Sequence, residues 1–89
     1  MITENITIIN KLGLHARAAS KLVALSSKFI SQIELQSGTK TVNTKSIMGV
    51  MMLAASKGTT LSLSIDGSDE NQARDAIVSL VSGYFGEGE

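Results

Sequence analysis

A histidine and an arginine two positions apart are the residues of this chain whose types and spacing best suit chemistry. His15 is the single histidine among 89 residues, and Arg17 follows it where strand-like alternation changes to helical spacing. The free NH groups and partial positive charge of a helix start attract anions and disfavour imidazolium, so a neutral, nucleophilic ring is expected. Arg17 offers a fixed fork of donors for phosphate oxygens, and Gly13 lets the backbone bend close to the ring. These residues predict a phosphohistidine site.

Three other interpretations of the same residues remain open at this point. Helix starts collect polar side chains, so His15 could be a surface or capping residue and Arg17 a solvated charge. A small hydrolase of acyl phosphates also holds phosphate with an arginine near a helix start, although this chain lacks supporting residues. A non-catalytic interaction module, in which His15 is incidental, is the third.

The composition excludes several classes of protein. Eight Lys and Arg balance eight Asp and Glu, and aromatic residues make up 3% of the chain, so the basic surplus and stacking surface of a nucleic-acid binder are missing. The sequence has no cysteine and one histidine, which removes disulfides, thiolate nucleophiles and a His-rich metal cluster. We therefore expect no metal, no cofactor and no nucleic-acid partner.

The apolar segments are too short to span a membrane. The longest, residues 47–55, has nine residues, whereas a spanning helix needs about 20. The first five residues have neither a basic start nor an apolar run behind them, unlike a signal peptide. We expect a cytoplasmic protein, a monomer with no membrane insertion.

Hydrophobic periodicity predicts the element order β-α-β-β-α-β-α. Alternating apolar and polar residues predict strands over 2–9, 32–36, 41–42 and 61–65, with a turn at 37–39. Spacings of three and four predict the stripes of a first and a last helix, which are Ala18, Leu22, Leu25, Phe29 and then Ala73, Ile77, Leu80, Val81, Tyr84. Asp69 and Gln72 resemble a capping box for the last helix.

This order predicts an α+β fold over residues 1–89 as a single domain. The strands are apolar on alternate residues, so helices are expected on one face of a four-stranded antiparallel sheet. The result is a two-layer open-faced β-sandwich. Gly83, Gly86 and Gly88 indicate a loose C-terminal end.

The short middle helix, from Ile47 to about Ala55, has apolar residues on two sides. Val50 and Leu53 can face the core, while the remaining side carries Ile47, Met48 and Met51. Either the helix is sunk in the core or the second side is an exposed docking surface on which flexible methionines accept more than one partner.

Two segments resemble the HPr family, the histidine-containing phosphocarriers of the phosphoenolpyruvate-dependent phosphotransferase system. They are Gly13-Leu14-His15-Ala16-Arg17 and Lys45-Ser46-Ile47-Met48-Gly49-Val50. Both occur at the family's spacing, and the resemblance extends from residue 1 to about 85. One departure is Ala18, where most members have proline, so the preset φ of the first turn is lost and one NH is regained.

The resemblance implies a carrier rather than an enzyme. His15 would take a phosphoryl group on Nδ1 from phosphorylated enzyme I and pass it to a histidine of an enzyme IIA domain. Arg17 would stabilise its charge, and Ile47, Met48 and Met51 would contact both partners. Phosphoenolpyruvate binding and any Mg²⁺ would belong to the partner. Both the sugar-uptake branch and the regulatory nitrogen branch use such carriers.

Ser46 has two compatible roles. It precedes the middle helix and is expected to cap it. The resemblance implies that it is also the serine phosphorylated by the HPr kinase in many members of the family.

Overall fold

A computed structural model describes residues 1–88. Within this range the chain forms four strands, three α-helices and a final 3₁₀ turn, Tyr84–Gly86. In chain order they are β1 (Ile2–Thr7), α1 (Ala16–Ser26), β2 (Gln32–Ser37), β3 (Lys40–Asn43), α2 (Ile47–Met52), β4 (Thr60–Asp66) and α3 (Glu70–Ser82). The predicted element order is confirmed.

The four strands form one antiparallel sheet in the order β1-β4-β2-β3. Ile65 of β4 pairs with Ile2 of β1 on one side and with Ile33 of β2 on the other. Because alternate residues of a strand point to the same face, this register places the apolar residues of all three strands together. The predicted open-faced sandwich is therefore correct.

The helices cover the apolar face of the sheet. Their fully buried positions follow the predicted stripes in part: Ala18, Ala19 and Leu22 in α1, Val50 in α2, and Ala73, Ile77 and Val81 in α3. Burial of one Leu or Ile side chain contributes about 2 kcal/mol. No helix within residues 1–88 is long and apolar enough to cross a bilayer.

Several predicted boundaries are too long. The stripe of the first helix was predicted to reach Phe29, but α1 ends at Ser26. The first strand ends at Thr7 rather than residue 9, although the backbone of Ile8 still bonds Thr59 and Gly58. The middle helix ends at Met52 rather than near residue 55, because the chain turns out of it through Ala54, which has a φ of 49°.

The predicted capping box at α3 is wrong. Asp69 precedes the helix, but its side chain makes no cap hydrogen bond. Its carboxylate instead accepts hydrogen bonds from the NH groups of Ile30 and Ser31, at 2.9 and 3.0 Å, and from the hydroxyl of Ser31. The hydrogen bond from the Ser31 hydroxyl, above all, holds the pKa of Asp69 below its ordinary value. The carboxylate oxygens of Asp69, which could have capped α3, therefore bind a segment that is distant in the sequence.

The C-terminal segment is anchored at Phe85 and Glu87, although the sequence predicted a loose end. Tyr84, Phe85 and Gly86 all have positive φ, which turns the chain back toward α1. The Phe85 side chain is fully buried, and its carbonyl accepts a hydrogen bond of 2.7 Å from Nζ of Lys21. Tyr84, predicted in the apolar stripe of the last helix, lies beyond α3 and is exposed.

Candidate functional site

The loop between β1 and α1 passes so close to the segment after α2 that glycine is required at position 13. Gly13 has a φ of 68°, and a Cβ there would lie 2.5 Å from the carbonyl oxygen of Ala55. The next NH, of Leu14, donates to that same carbonyl at 2.8 Å. This close approach fixes the loop against the segment that follows α2, as expected from the permissive backbone of glycine.

His15 is the residue that precedes α1. Its backbone is extended, with φ −76° and ψ 179°, and its carbonyl accepts the NH of Ala19 at 2.8 Å. Its side chain makes no cap hydrogen bond to the helix. The ring is 27% exposed and is therefore partly open to solvent. The predicted location at the helix start is correct.

The ring nitrogens of His15 have different surroundings. Nε2 lies 2.5 Å from Oε2 of Glu87, whereas Nδ1 makes no hydrogen bond to any residue in the described range 1–88. Because a carboxylate only accepts, the Nε2–H must be the donor. In the neutral ring, this tautomer leaves the lone pair of Nδ1 free, as a nucleophilic imidazole requires.

Glu87 is itself held from behind. Its side chain is 11% exposed, and its second oxygen, Oε1, accepts a hydrogen bond of 3.0 Å from Nδ2 of Asn10. Burial by itself raises the pKa of Glu87, but the hydrogen bonds from Asn10 and His15, with the charge of Lys21, lower it below its ordinary value. The side chain is therefore ionised at neutral pH.

A basic cleft opens beside the ring. It has a volume of about 420 Å³ and is lined by Lys11, Leu12, Arg17, Lys21, Gly86 and Glu87. Three cations face one carboxylate, so the cleft is net positive and suits a phosphate-sized anion. Arg17 is exposed and makes no hydrogen bond or ion pair with any residue that the structure describes. Its guanidinium is thus available to an incoming group.

The short helix α2 presents the second candidate region. Val50 is fully buried and Leu53 is 8% exposed, so one side faces the core as predicted. Ile47, Met48 and Met51 are exposed on the other side. Met52 and Leu12, which the sequence analysis did not single out, are also exposed. We call the four exposed residues of α2, Ile47, Met48, Met51 and Met52, the apolar patch.

Ser46 caps α2 as predicted. Its Oγ accepts the NH of Gly49 at 3.2 Å, and its own backbone is extended. Among residues 1–88 there is no group of three or more His, Cys, Asp or Glu side chains that could hold a metal ion.

Glu87 and Asn10 are the site residues that sequence reasoning missed. Both belong to segments that looked like loops, and Glu87 lies 72 residues from His15 in the sequence. One available signal was Phe85, a large apolar residue between glycines, which indicates that this segment packs on the core rather than projecting into solvent.

An imidazole at a helix start, beside a basic cleft on an open-faced sandwich, is typical of a phosphohistidine carrier domain. A model of the family described as "PTS HPr component phosphorylation site" matches residues 2–83. The phosphocarrier protein HPr of Cupriavidus necator is 53% identical over 89 residues, which cover all of both chains.

Solved structures agree with this assignment. The crystal structure of HPr-C-His from Thermoanaerobacter tengcongensis is 48% identical, covers 98% of each chain and has a TM-score of 0.94. An HPr dimer from the same organism covers 98% of this chain and 100% of its own, with a TM-score of 0.79. The chain therefore belongs to the HPr family and acts as a phosphocarrier of the phosphotransferase system.

Proposed function

We propose that His15 accepts a phosphoryl group on Nδ1 from phosphorylated enzyme I and donates it to a histidine of an enzyme IIA domain. The observation that carries this assignment is the asymmetry of the ring, since Nε2 is bonded to Glu87 and Nδ1 is free. The chain then works as one domain over residues 1–89, a cytoplasmic monomer that is a substrate and donor rather than an enzyme. It needs no cofactor of its own.

The transfer requires little from the carrier besides position and charge. The Nδ1 lone pair of His15 forms the new N–P bond while the donor's P–N bond breaks and its electron pair returns to the donor imidazole. His15 keeps its proton on Nε2, so the phosphorylated ring is cationic and remains a good leaving group for the second transfer. Preorganised charge at the site lowers the barrier in both directions.

Arg17 is proposed to stabilise the phosphoryl group during transfer. It lines the cleft together with Lys11 and Lys21. Among the described residues it has no hydrogen bond or ion pair that would have to break before it binds a phosphoryl group. A planar guanidinium suits the oxygens of a phosphoryl group.

Ala18, the third residue of α1, is fully buried, and its NH belongs to the first turn, which has free donors.

Ile47, Met48 and Met51 are proposed to dock the partners. They are exposed in the monomer, and α2 is tied to the His15 loop because Leu14 bonds to Ala55 just beyond that helix. An apolar surface of flexible methionines next to the reacting ring suits two different partner surfaces.

Ser46 is proposed as a regulatory phosphorylation site for the HPr kinase. A phosphate there adds a charge of about −1.5 to −2 at a helix start, which the helix dipole tolerates. The same charge stands beside Ile47, and a partner that buries Ile47 would have to desolvate it. The modification should therefore weaken docking without unfolding the chain.

The experiment that tests the main assignment is incubation with enzyme I and phosphoenolpyruvate, followed by mass spectrometry that maps any acid-labile phosphate. We expect one phosphate, on His15, and none in a His15→Ala variant. Retention of the label in that variant would contradict the assignment. A wild-type chain that takes no label from active enzyme I would contradict it as well.

A further inference from the structure

The Glu87 carboxylate hydrogen-bonds to the His15 ring, so it can affect phosphoryl transfer by that ring. We infer that Glu87 is a positioning residue for phosphoryl transfer: it accepts the Nε2–H of His15, which selects the tautomer of the neutral ring whose lone pair is on Nδ1, and it balances the ring charge when the N–P bond forms. This inference rests on the proposed phosphorylation of His15.

The two oxygens of Glu87 have separate tasks. Oε2 receives the Nε2–H of His15, and Oε1 receives Nδ2 of Asn10. Asn10 is completely buried, and the same Nδ2 also donates to the carbonyl of Gly13 at 2.8 Å. The carboxylate is thus fixed to the loop that carries His15, so neither its position nor that of the ring depends on a mobile side chain.

The backbone brings Glu87 to the ring by a reversal that the core holds in place. Tyr84 and Phe85 have φ values of 59° and 53°, which are uncommon for residues other than glycine. Burial of the Phe85 side chain and the bond from Lys21 to its carbonyl stabilise that conformation. Strain of this kind persists only where the surroundings determine it, and it often accompanies functional sites.

The charges around Glu87 are arranged so that it acts on the ring more than on the phosphoryl group. Lys11 in the loop and Arg17 and Lys21 on α1 line the same cleft as Glu87. Glu87 touches Nε2, on the edge of the imidazole away from Nδ1. The three cations therefore offset its repulsion of an incoming phosphoryl group, while its contact favours the protonated Nε2 of the phosphorylated ring.

NMR of the unphosphorylated protein tests the contact directly. The sequence has one histidine, so ¹⁵N labelling of histidine gives one pair of ring nitrogens to assign. We expect a slowly exchanging, downfield Nε2–H proton in the wild type and in a Glu34→Gln control. In Glu87→Ala that signal should exchange fast and disappear, and in Glu87→Gln it should weaken.

Transfer kinetics with phosphorylated enzyme I test the consequence. Loss of a group that orients a reacting imidazole should lower kcat for phosphorylation of Glu87→Ala by about tenfold, with KM unchanged because the apolar patch is intact. Glu87→Gln should fall between, since it keeps an acceptor but no charge, and Glu34→Gln should match the wild type.

The outcomes separate this inference from the proposed function. Wild-type kcat in Glu87→Ala, or an unaltered Nε2–H signal, overturns the role of Glu87 even if His15 is phosphorylated. A rise in KM without a fall in kcat also overturns it, because that pattern indicates docking. Label on a residue other than His15 overturns the proposed function, and the NMR signal still reports on the contact.

Discussion

The starts of α1 and α2 share a backbone geometry but differ in the use of the side chain. His15 and Ser46 both precede their helices in extended conformation. The hydroxyl of Ser46 turns inward and accepts an NH of its own helix, whereas the His15 ring turns away and meets Glu87. At the start of α2, the side chain of the preceding residue gives an NH of the helix its hydrogen-bond partner. At the start of α1, the first-turn NH groups and a nucleophilic nitrogen remain open to a ligand.

The largest effect that distinguishes the two regions should come from Arg17. Arg17→Ala should slow phosphoryl transfer by about 100-fold, because it removes the exposed guanidinium that we propose to stabilise the transferring group. The free energy of unfolding should change by less than about 0.5 kcal/mol, since the side chain is exposed. Single-turnover transfer and thermal unfolding measure the two quantities.

Arg74→Ala is the matched control, since it removes the other arginine of the chain, which pairs with Asp75 and Glu4. It should transfer phosphate at the wild-type rate. Equal rates in Arg17→Ala and the wild type would contradict the role of Arg17.

A charge on α2 should impair binding rather than chemistry. Met48→Glu should weaken the complex with enzyme I about tenfold, or about 1.4 kcal/mol, because a buried charge would lack a partner. The Tm should be nearly unchanged, since Met48 is 68% exposed. Isothermal titration calorimetry gives the affinity.

Ile30→Glu provides the control, because Ile30 is 78% exposed and lies outside the apolar patch. Its affinity should equal that of the wild type. A large loss of stability in Met48→Glu would show that the residue belongs to the core.

Loss of the α2 cap should affect stability in a way that loss of His15 does not. Ser46→Ala should lower the free energy of unfolding by about 1 kcal/mol, because the NH of Gly49 loses its acceptor. Ser46→Asp should fold normally and accept phosphoryl more slowly through weaker binding. Chemical denaturation measures the first effect and transfer kinetics the second.

Wild-type transfer kinetics in Ser46→Asp would contradict the electrostatic block as Asp mimics it. An unchanged unfolding free energy in Ser46→Ala would show that the hydrogen bond to Gly49 has no net value.

Asp69, which precedes α3, uses its side chain in a third way, because it binds a distant segment. Its contribution to the free energy of unfolding should be lost at low pH. The pKa of Asp69 is lowered in the folded protein from its ordinary value of 3.8, so its stabilising contribution is present above pH 3.8 and is lost as the pH falls through the lower folded value. Between about pH 5 and pH 2 the free energy of unfolding should fall more steeply in the wild type than in Asp69→Asn. Parallel pH profiles would contradict this role.

Local patterns were sufficient to predict the fold and the position of His15. Alternation in β4 and β2, and the four-residue spacing from Ala18 to Leu22, depend on which side chains face one core, and that information is local. The cap by Ser46 is local too. In these elements the local sequence preferences agree with the overall fold, and this agreement makes them predictable.

The contacts that the sequence did not indicate are long-range. The position of Asp69 is typical of a capping box, but its carboxylate instead accepts a hydrogen bond from Ser31, which is 38 residues away in the sequence. Glu87 follows glycines that suggested a loose end, yet positive φ at Tyr84 and Phe85 directs it to His15. Residues other than glycine adopt that conformation only when tertiary packing stabilises it, and a local pattern contains no record of such packing.

The measurement that tests the account most directly is ³¹P–¹⁵N NMR of the phosphorylated protein with ¹⁵N-labelled histidine. We expect phosphorus to couple to Nδ1 of His15 while Nε2 keeps its proton and its hydrogen bond to Glu87. Coupling to Nε2 would mean that Glu87 is displaced from the ring, and a phosphate with no coupling to either nitrogen would place the group elsewhere. Either result would contradict the assignment of Nδ1 as the carrier atom.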